Sequence, residues 1–97
     1  MIEIKQGNCV ISIWEKAYLT DLTITKFRKI LEMASNEWQN NPEEIRAELL
    51  QMLECERMKR EKDLERTDAF YTSRKRNHTI SRLKKIEKMK SEVQKYV

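Results

Sequence analysis

The chain begins with a strict alternation of apolar and polar positions, which predicts β-strands. The apolar positions of one face are Ile2, Ile4, Ile11 and Ile13. The Gly7-Asn8 pair between the two runs is typical of a two-residue type II′ turn, which makes Gln6 the partner of Cys9. That register sets the four isoleucines opposite one another on one face of a hairpin over residues 2–14. Because an isolated hairpin is not stable in water, this face should pack against another element.

A helical period replaces the alternation after residue 22. The apolar stripe consists of Ile24, Phe27, Leu31, Ala34 and Trp38. This spacing predicts an amphipathic helix over residues 23–39, in which Trp38 closes the helix over the hairpin. Thr20, Asp21 and Thr23 are all suitable N-cap residues for it.

Asn41-Pro42-Glu43-Glu44 is a strong helix start signal. Asn41 can cap the helix, Pro42 suits the first helical position, and the two glutamates favour the positive end of the helix dipole. We predict a long helix over residues 42–70. Its first half is apolar on one face, through Ile45, Leu49, Met52 and Leu53. Its second half is almost wholly charged and is expected to extend beyond the core, with exposed i, i+4 pairs at Glu56–Arg60, Arg57–Glu61 and Lys59–Asp63, each worth about 0.2–0.5 kcal/mol.

The last predicted element is a basic helix over residues 79–96. We predict that the helical structure is interrupted at residues 77–79, and that Thr79 or Ser81 is the N-cap of the last helix. The helix has a narrow apolar seam under a dense lysine face, made of Leu83, Ile86, Met89 or Lys90, Val93, and Tyr96 or Val97. A seam of this width suits packing against the second helix as an antiparallel pair. It also suits a coiled-coil partner and hence a homodimer.

These elements predict one small domain over residues 1–97, of the α+β class and predominantly α-helical. The chain contains one glycine and one proline, which favours long helices because these residues commonly interrupt them. Residues 66–79 also fit a disordered linker, because they are charged and poor in apolar side chains.

Charge is distributed unevenly along the chain. Residues 71–97 contain nine Lys and Arg against two Glu, whereas residues 1–70 contain eleven bases and fourteen acids. The C-terminal part therefore has a net charge of +7 and the rest −3. Such asymmetry indicates a negatively charged partner, such as nucleic acid or an acidic protein surface.

Catalytic and metal chemistry find little support in the residue pattern. His78 is the single histidine, and it has no neighbouring cysteine or carboxylate with which to build a zinc site. Glu44 and Glu48 share a helical face, as an acidic site for a divalent cation would require. Surface glutamates at this spacing are common, however, and a structural role explains them. No glycine-rich phosphate loop is present, because the single glycine belongs to the predicted hairpin turn. We therefore expect a protein that is not an enzyme, with no catalytic residues, metal, cofactor or small-molecule substrate.

The basic C-terminal tract is the strongest functional signal. The residues predicted to bind nucleic acid or an acidic partner are Arg74, Lys75, Arg76, Arg82, Lys84, Lys85, Lys88 and Lys90. Tyr71 and His78 lie near enough to stack on unpaired bases. A solvated lysine face that only keeps the chain soluble is the alternative interpretation of the tract. Trp14 points away from the isoleucine face and is a candidate protein contact, since tryptophan often anchors interfaces.

Localisation is expected to be cytoplasmic. Cys9 and Cys55 lie far apart and in apolar contexts, which predicts reduced, buried thiols. The chain has neither a secretory signal pattern nor an apolar run near the about 20 residues that a membrane span needs. No membrane partner is expected.

Together these features predict a non-catalytic binding protein that acts through its basic C-terminal helix on nucleic acid or on a nucleic-acid-processing protein. Small, cofactor-free, polarised chains are typical of phage and mobile-element accessory proteins. One form of this hypothesis is an inhibitor of a host nuclease, such as a CRISPR effector. The alternative hypothesis is a structural coiled-coil protein that oligomerises and has no nucleic-acid role.

Overall fold

The computed structural model describes residues 2–6, 8–14, 18–34 and 41–95. It confirms a mainly α-helical α+β fold. In chain order the elements are strands β1 (Ile2–Gln6) and β2 (Cys9–Ile13), a short 3₁₀ turn (Leu19–Asp21), and helices α1 (Ile24–Ala34), α2 (Pro42–Leu64) and α3 (Ser73–Lys95).

The hairpin has the register that the alternation predicted. β1 and β2 pair antiparallel, with Ile2 opposite Ile13, Ile4 opposite Ile11, and Gln6 opposite Cys9. Gly7 lies outside the described residues, and so the type II′ turn stays a prediction. Ile2, Ile4 and Ile13 are buried and Ile11 is partly buried against the same core, which gives the isoleucine face the support that a two-stranded sheet needs.

Helix α1 lies against this face. It buries five residues: Phe27, Ile30, Leu31, Met33 and Ala34. Its N-cap is Thr23, one of the three predicted candidates, whose Oγ1 accepts a hydrogen bond from the Lys26 amide at 3.2 Å. Residues 35–39 of the predicted helix lie outside the described residues, as does Trp38.

Helix α2 starts as its sequence signal predicted. The Asn41 side chain accepts a hydrogen bond from the Glu44 amide at 3.3 Å, and Pro42 occupies the first turn. The helix ends at Leu64, however, and not at residue 70. The chain then crosses to α3 through residues 65–72, where Arg66 makes two 2.9 Å hydrogen bonds to Asp68.

Helix α3 begins six residues before the predicted position. Thr72 is its cap, because its Oγ1 accepts a hydrogen bond from the Lys75 amide at 3.3 Å. The predicted break at residues 77–79 is therefore wrong, and the basic run Arg74–His78 forms the first turns of the helix. Thr79 is buried within the helix, where its hydroxyl donates to the Lys75 carbonyl at 3.1 Å. A Thr or Ser can serve either as a cap or inside a helix, and Thr72 is the cap here.

Helices α2 and α3 form the predicted antiparallel pair. Lys90 near the end of α3 meets Glu54 in the middle of α2, whereas Arg76 near its start reaches the carbonyl of Leu64. The seam of α3 faces inward: Ile86, Met89 and Val93 are fully buried, and Leu83 packs against them. The part of the seam that is described thus serves the core of this chain, and it does not form an open coiled-coil face. Tyr96 and Val97 lie outside the described residues.

Candidate functional site

The predicted basic tract divides into two groups along α3. Arg82, Lys85 and Lys90 are partly buried and contact other elements of the chain. Arg82 binds Asp21 at 3.1 Å and also the Thr20 carbonyl, to which Lys85 donates at 2.6 Å. These two bases fasten the 3₁₀ turn to α3.

Lys90 contributes to the contact between the two long helices. Its ammonium group lies 3.0 Å from Glu54. Glu54 also binds Arg57, and the two cations lower the pKa of this carboxyl to about 2, Arg57 having the larger effect. The three inward-facing bases therefore have structural partners, in contrast to the uniform binding tract that the sequence predicted.

The remaining bases of α3 lie at its start and along its outer face. Lys84 and Lys88 are exposed, and neither makes an ion pair within the described residues. They are one helical turn apart, which separates their Cα atoms by about 6 Å along the axis. We call these two residues the outer row. Lys95 continues in the same direction but lies 3.6 Å from Glu92.

A second cationic surface lies where α2 and α3 are joined. An open cleft of about 420 Å³ has four cationic side chains in its lining, Arg60, Arg66, Arg74 and Lys75. The other lining residues are Asp63, Tyr71, His78 and Thr79. We call this the tip cleft. The structure thus brings together four of the predicted residues, Tyr71, Arg74, Lys75 and His78, and adds three charged residues from α2 and the connection.

Tyr71 has a fixed position in the tip cleft. Its hydroxyl donates a hydrogen bond to Thr79 Oγ1 at 3.0 Å, and the Arg66 guanidinium lies 5.0 Å from the ring centroid. Arg66 is itself bound to Asp68, an interaction that raises the pKa of Arg66 and lowers the pKa of Asp68. These contacts order an aromatic ring beside several positive charges.

Arg60, which lines the cleft from α2, also has a fixed position. Its Nε donates to Glu56 at 3.2 Å, and its guanidinium lies 4.9 Å from the centroid of the Tyr18 ring. Glu56 is only 2% exposed and also accepts a 2.6 Å hydrogen bond from the Thr20 hydroxyl. The predicted exposed pair Glu56–Arg60 is therefore a largely buried one. The sequence did contain a signal for this, because Glu56 continues the spacing of Ile45, Leu49 and Leu53.

The other predicted contacts lie elsewhere. Trp14 is 70% exposed and Val10 is 55% exposed, and both belong to the outward-facing positions of the hairpin. Cys55 is a free thiol and is exposed, and so its predicted burial is wrong. It lies between Leu53 and Glu56 in the sequence, but not on the buried face of α2 that these two residues share. The side chain of Cys9 lies outside the described residues.

Within the described ranges, no group of three or more His, Cys, Asp or Glu side chains is placed to hold a metal ion. None of the described helices is both long and apolar enough to cross a membrane.

The pKa values of two carboxyl groups predict acid sensitivity. Glu54 has a pKa of about 2, and Arg28, 2.9 Å away, lowers the pKa of Glu92. Because both values are lowered in the folded state, the resulting stability is present above the ordinary pKa of 4.5 and is lost as the pH falls below it, for Glu54 down to about 2. Urea unfolding from pH 7 to pH 2.5 should therefore show stability declining below about pH 4.5.

The Arg57→Met variant should show a shallower decline, since Arg57 has the largest effect on Glu54. Lys62→Met removes one exposed charge from the same helix and is the matched control. Parallel pH profiles for the wild-type protein and Arg57→Met would contradict this assignment.

Comparisons with known proteins give no match to a family model, a curated protein or a solved structure.

Proposed function

We propose that this chain is a non-catalytic nucleic-acid-binding protein, and that the tip cleft and the outer row form its binding surface. The observation that carries the proposal is the tip cleft itself, whose lining combines four cationic side chains with an ordered tyrosine. Cations attract phosphate groups, and an aromatic ring offers a stacking surface for bases.

The two parts of the surface are joined along α3. Arg74 lines the cleft, and the exposed positions Asn77, Ser81, Lys84 and Lys88 follow it along the outer side of the helix. From Arg74 to Lys88 the helix rises about 21 Å. This length spans several consecutive phosphates of one strand. A backbone that enters at the cleft can therefore continue along the outer row.

Phosphate contacts alone do not read sequence, and so we expect general affinity for nucleic acid from this surface. A nucleic-acid-processing protein or a nucleoprotein is the second form of the proposal. The exposed Trp14 and Val10 favour it, because they provide an apolar contact away from the basic surface. Inhibition of a host nuclease by a phage or mobile-element protein belongs to this second form. The exposed free thiol of Cys55 suits a reducing compartment, in line with the cytoplasm as the proposed location.

Fluorescence anisotropy with labelled single-stranded DNA, duplex DNA and RNA tests the proposal. We expect affinity to fall as salt rises, with a slope of log affinity against log salt of about −2 to −4 for several phosphate contacts. Absence of binding to all three nucleic acids at low salt would contradict direct nucleic-acid binding. A pull-down from a bacterial lysate would then test the second form.

A further inference from the structure

Asp63 is a carboxylate in an otherwise cationic cleft. Its side chain is half-buried and lies in the lining with Arg60, Arg66, Arg74 and Lys75. Among the described residues this carboxylate makes no salt bridge or side-chain hydrogen bond, because the salt bridges of Arg60 and Arg66 go to other acids; its charge nevertheless helps to raise the pKa of Arg66. A carboxylate at this position weakens the attraction of the cleft for phosphate. The Asp63 carboxylate instead suits a ligand that donates hydrogen bonds, because an ionised carboxylate only accepts them.

The size and lining of the cleft match a single nucleotide better than the backbone of a nucleic-acid duplex. Its volume of about 420 Å³ falls within the roughly 300–1,000 Å³ of small-molecule sites. Tyr71 provides an ordered ring, and unpaired bases commonly stack on aromatic rings or guanidinium planes and are recognised at their Watson–Crick edges. A base inside a duplex presents no free edge of this kind. The cleft therefore favours a single strand with one base unstacked.

Among the bases of DNA and RNA, guanine has the edge that matches a carboxylate. Its N1–H and N2–H₂ groups are adjacent donors, so both oxygens of one carboxylate can accept from them. Adenine and cytosine offer one amino donor beside an acceptor, and thymine and uracil offer one imino donor between two carbonyls. We infer that the tip cleft binds one unstacked guanine of a single strand, with Asp63 accepting hydrogen bonds from its Watson–Crick edge and the neighbouring cations binding the flanking phosphates.

This inference rests on the proposed function and has its own test. The probes are labelled ten-nucleotide oligo(dT) strands that contain one central guanine, inosine or thymine. The base of inosine differs from guanine only by lacking the N2 amino group. We expect the guanine strand to bind about tenfold more tightly than the inosine strand, which corresponds to the lower end of the range for one hydrogen bond to a charged group. In Asp63→Ala this ratio should fall to about one because the guanine strand loses its hydrogen bonds to Asp63, while affinity for the thymine strand rises because a negative charge is lost.

Glu65→Ala is the matched control, since it removes the same charge two residues away from an exposed side chain that does not line the cleft. It should keep the guanine preference. Circular dichroism confirms that each variant is folded. Equal binding of the guanine and inosine strands by the wild-type protein, with a normal salt slope, would overturn the guanine assignment and leave the proposed function intact. Failure of every strand to bind at low salt would overturn both.

Discussion

Charge reversal of the outer row, Lys84→Glu with Lys88→Glu, should weaken binding to single-stranded nucleic acid roughly 10- to 100-fold at low salt. Both lysines are exposed and make no ion pair within the described residues, so their reversal removes phosphate contacts without breaking an internal one. Each contact to a single strand contributes about 0.7 to the salt slope, and so the slope should fall by about 1.4.

The matched control reverses Lys26 and Lys29, two exposed lysines of α1. It changes the net charge of the protein by the same amount at a surface outside the proposed site. Anisotropy titrations of both double variants across a salt series separate the two effects. An equal loss of affinity in the two variants would show that net charge, and not the outer row, determines binding.

Replacement of Glu56 by alanine should lower the free energy of unfolding by about 3 kcal/mol. Glu56 is buried, where it binds Arg60 at 3.2 Å and accepts the Thr20 hydroxyl at 2.6 Å. Its removal leaves a mostly buried guanidinium without its carboxylate and a buried hydroxyl without its acceptor, and breaking such a pair is strongly destabilising. Urea unfolding followed by circular dichroism at neutral pH measures the change.

Glu61→Ala is the appropriate control, because Glu61 is an exposed glutamate of the same helix that pairs with Arg57 at 2.7 Å. Exposed pairs of this kind are worth at most about 1 kcal/mol. The free energy of unfolding of Glu56→Gln should lie between those of the two alanine variants, since the amide keeps an acceptor for Thr20 but loses the charge opposite Arg60. If Glu56→Ala and Glu61→Ala were equally stable, the buried network would have no special energetic role.

The regular elements were accessible from the sequence where local chemistry and periodicity agree. The alternation of isoleucines and the two-residue length of the hairpin loop specify the same strand register. Asn41-Pro42 likewise specifies one helix start. The connection between α2 and α3 was placed wrongly because Thr72 and Thr79 are equally good caps by local criteria. Thr79 is held inside the helix by Tyr71, a tertiary contact that no local rule contains.

The candidate site was only partly accessible. Its α3 residues stood out as a dense basic run, but the run does not reveal which side chains face inward. Arg82 and Lys85 bind the Thr20 carbonyl, which is more than sixty residues away in the chain. Arg60 and Asp63 belong to a stretch of α2 in which charges of both signs alternate, and only its packing against α3 shows that they share a cleft with Tyr71.

The most direct test of the binding surface is a titration of ¹⁵N-labelled protein with a single-stranded oligonucleotide, followed by amide chemical shifts. We predict that the largest changes occur at Tyr71, Arg74, Lys84 and Lys88, and that Val10 and Trp14 on the hairpin are unaffected. Changes confined to the hairpin, with the tip cleft and the outer row unchanged, would contradict the proposal that these two surfaces bind nucleic acid.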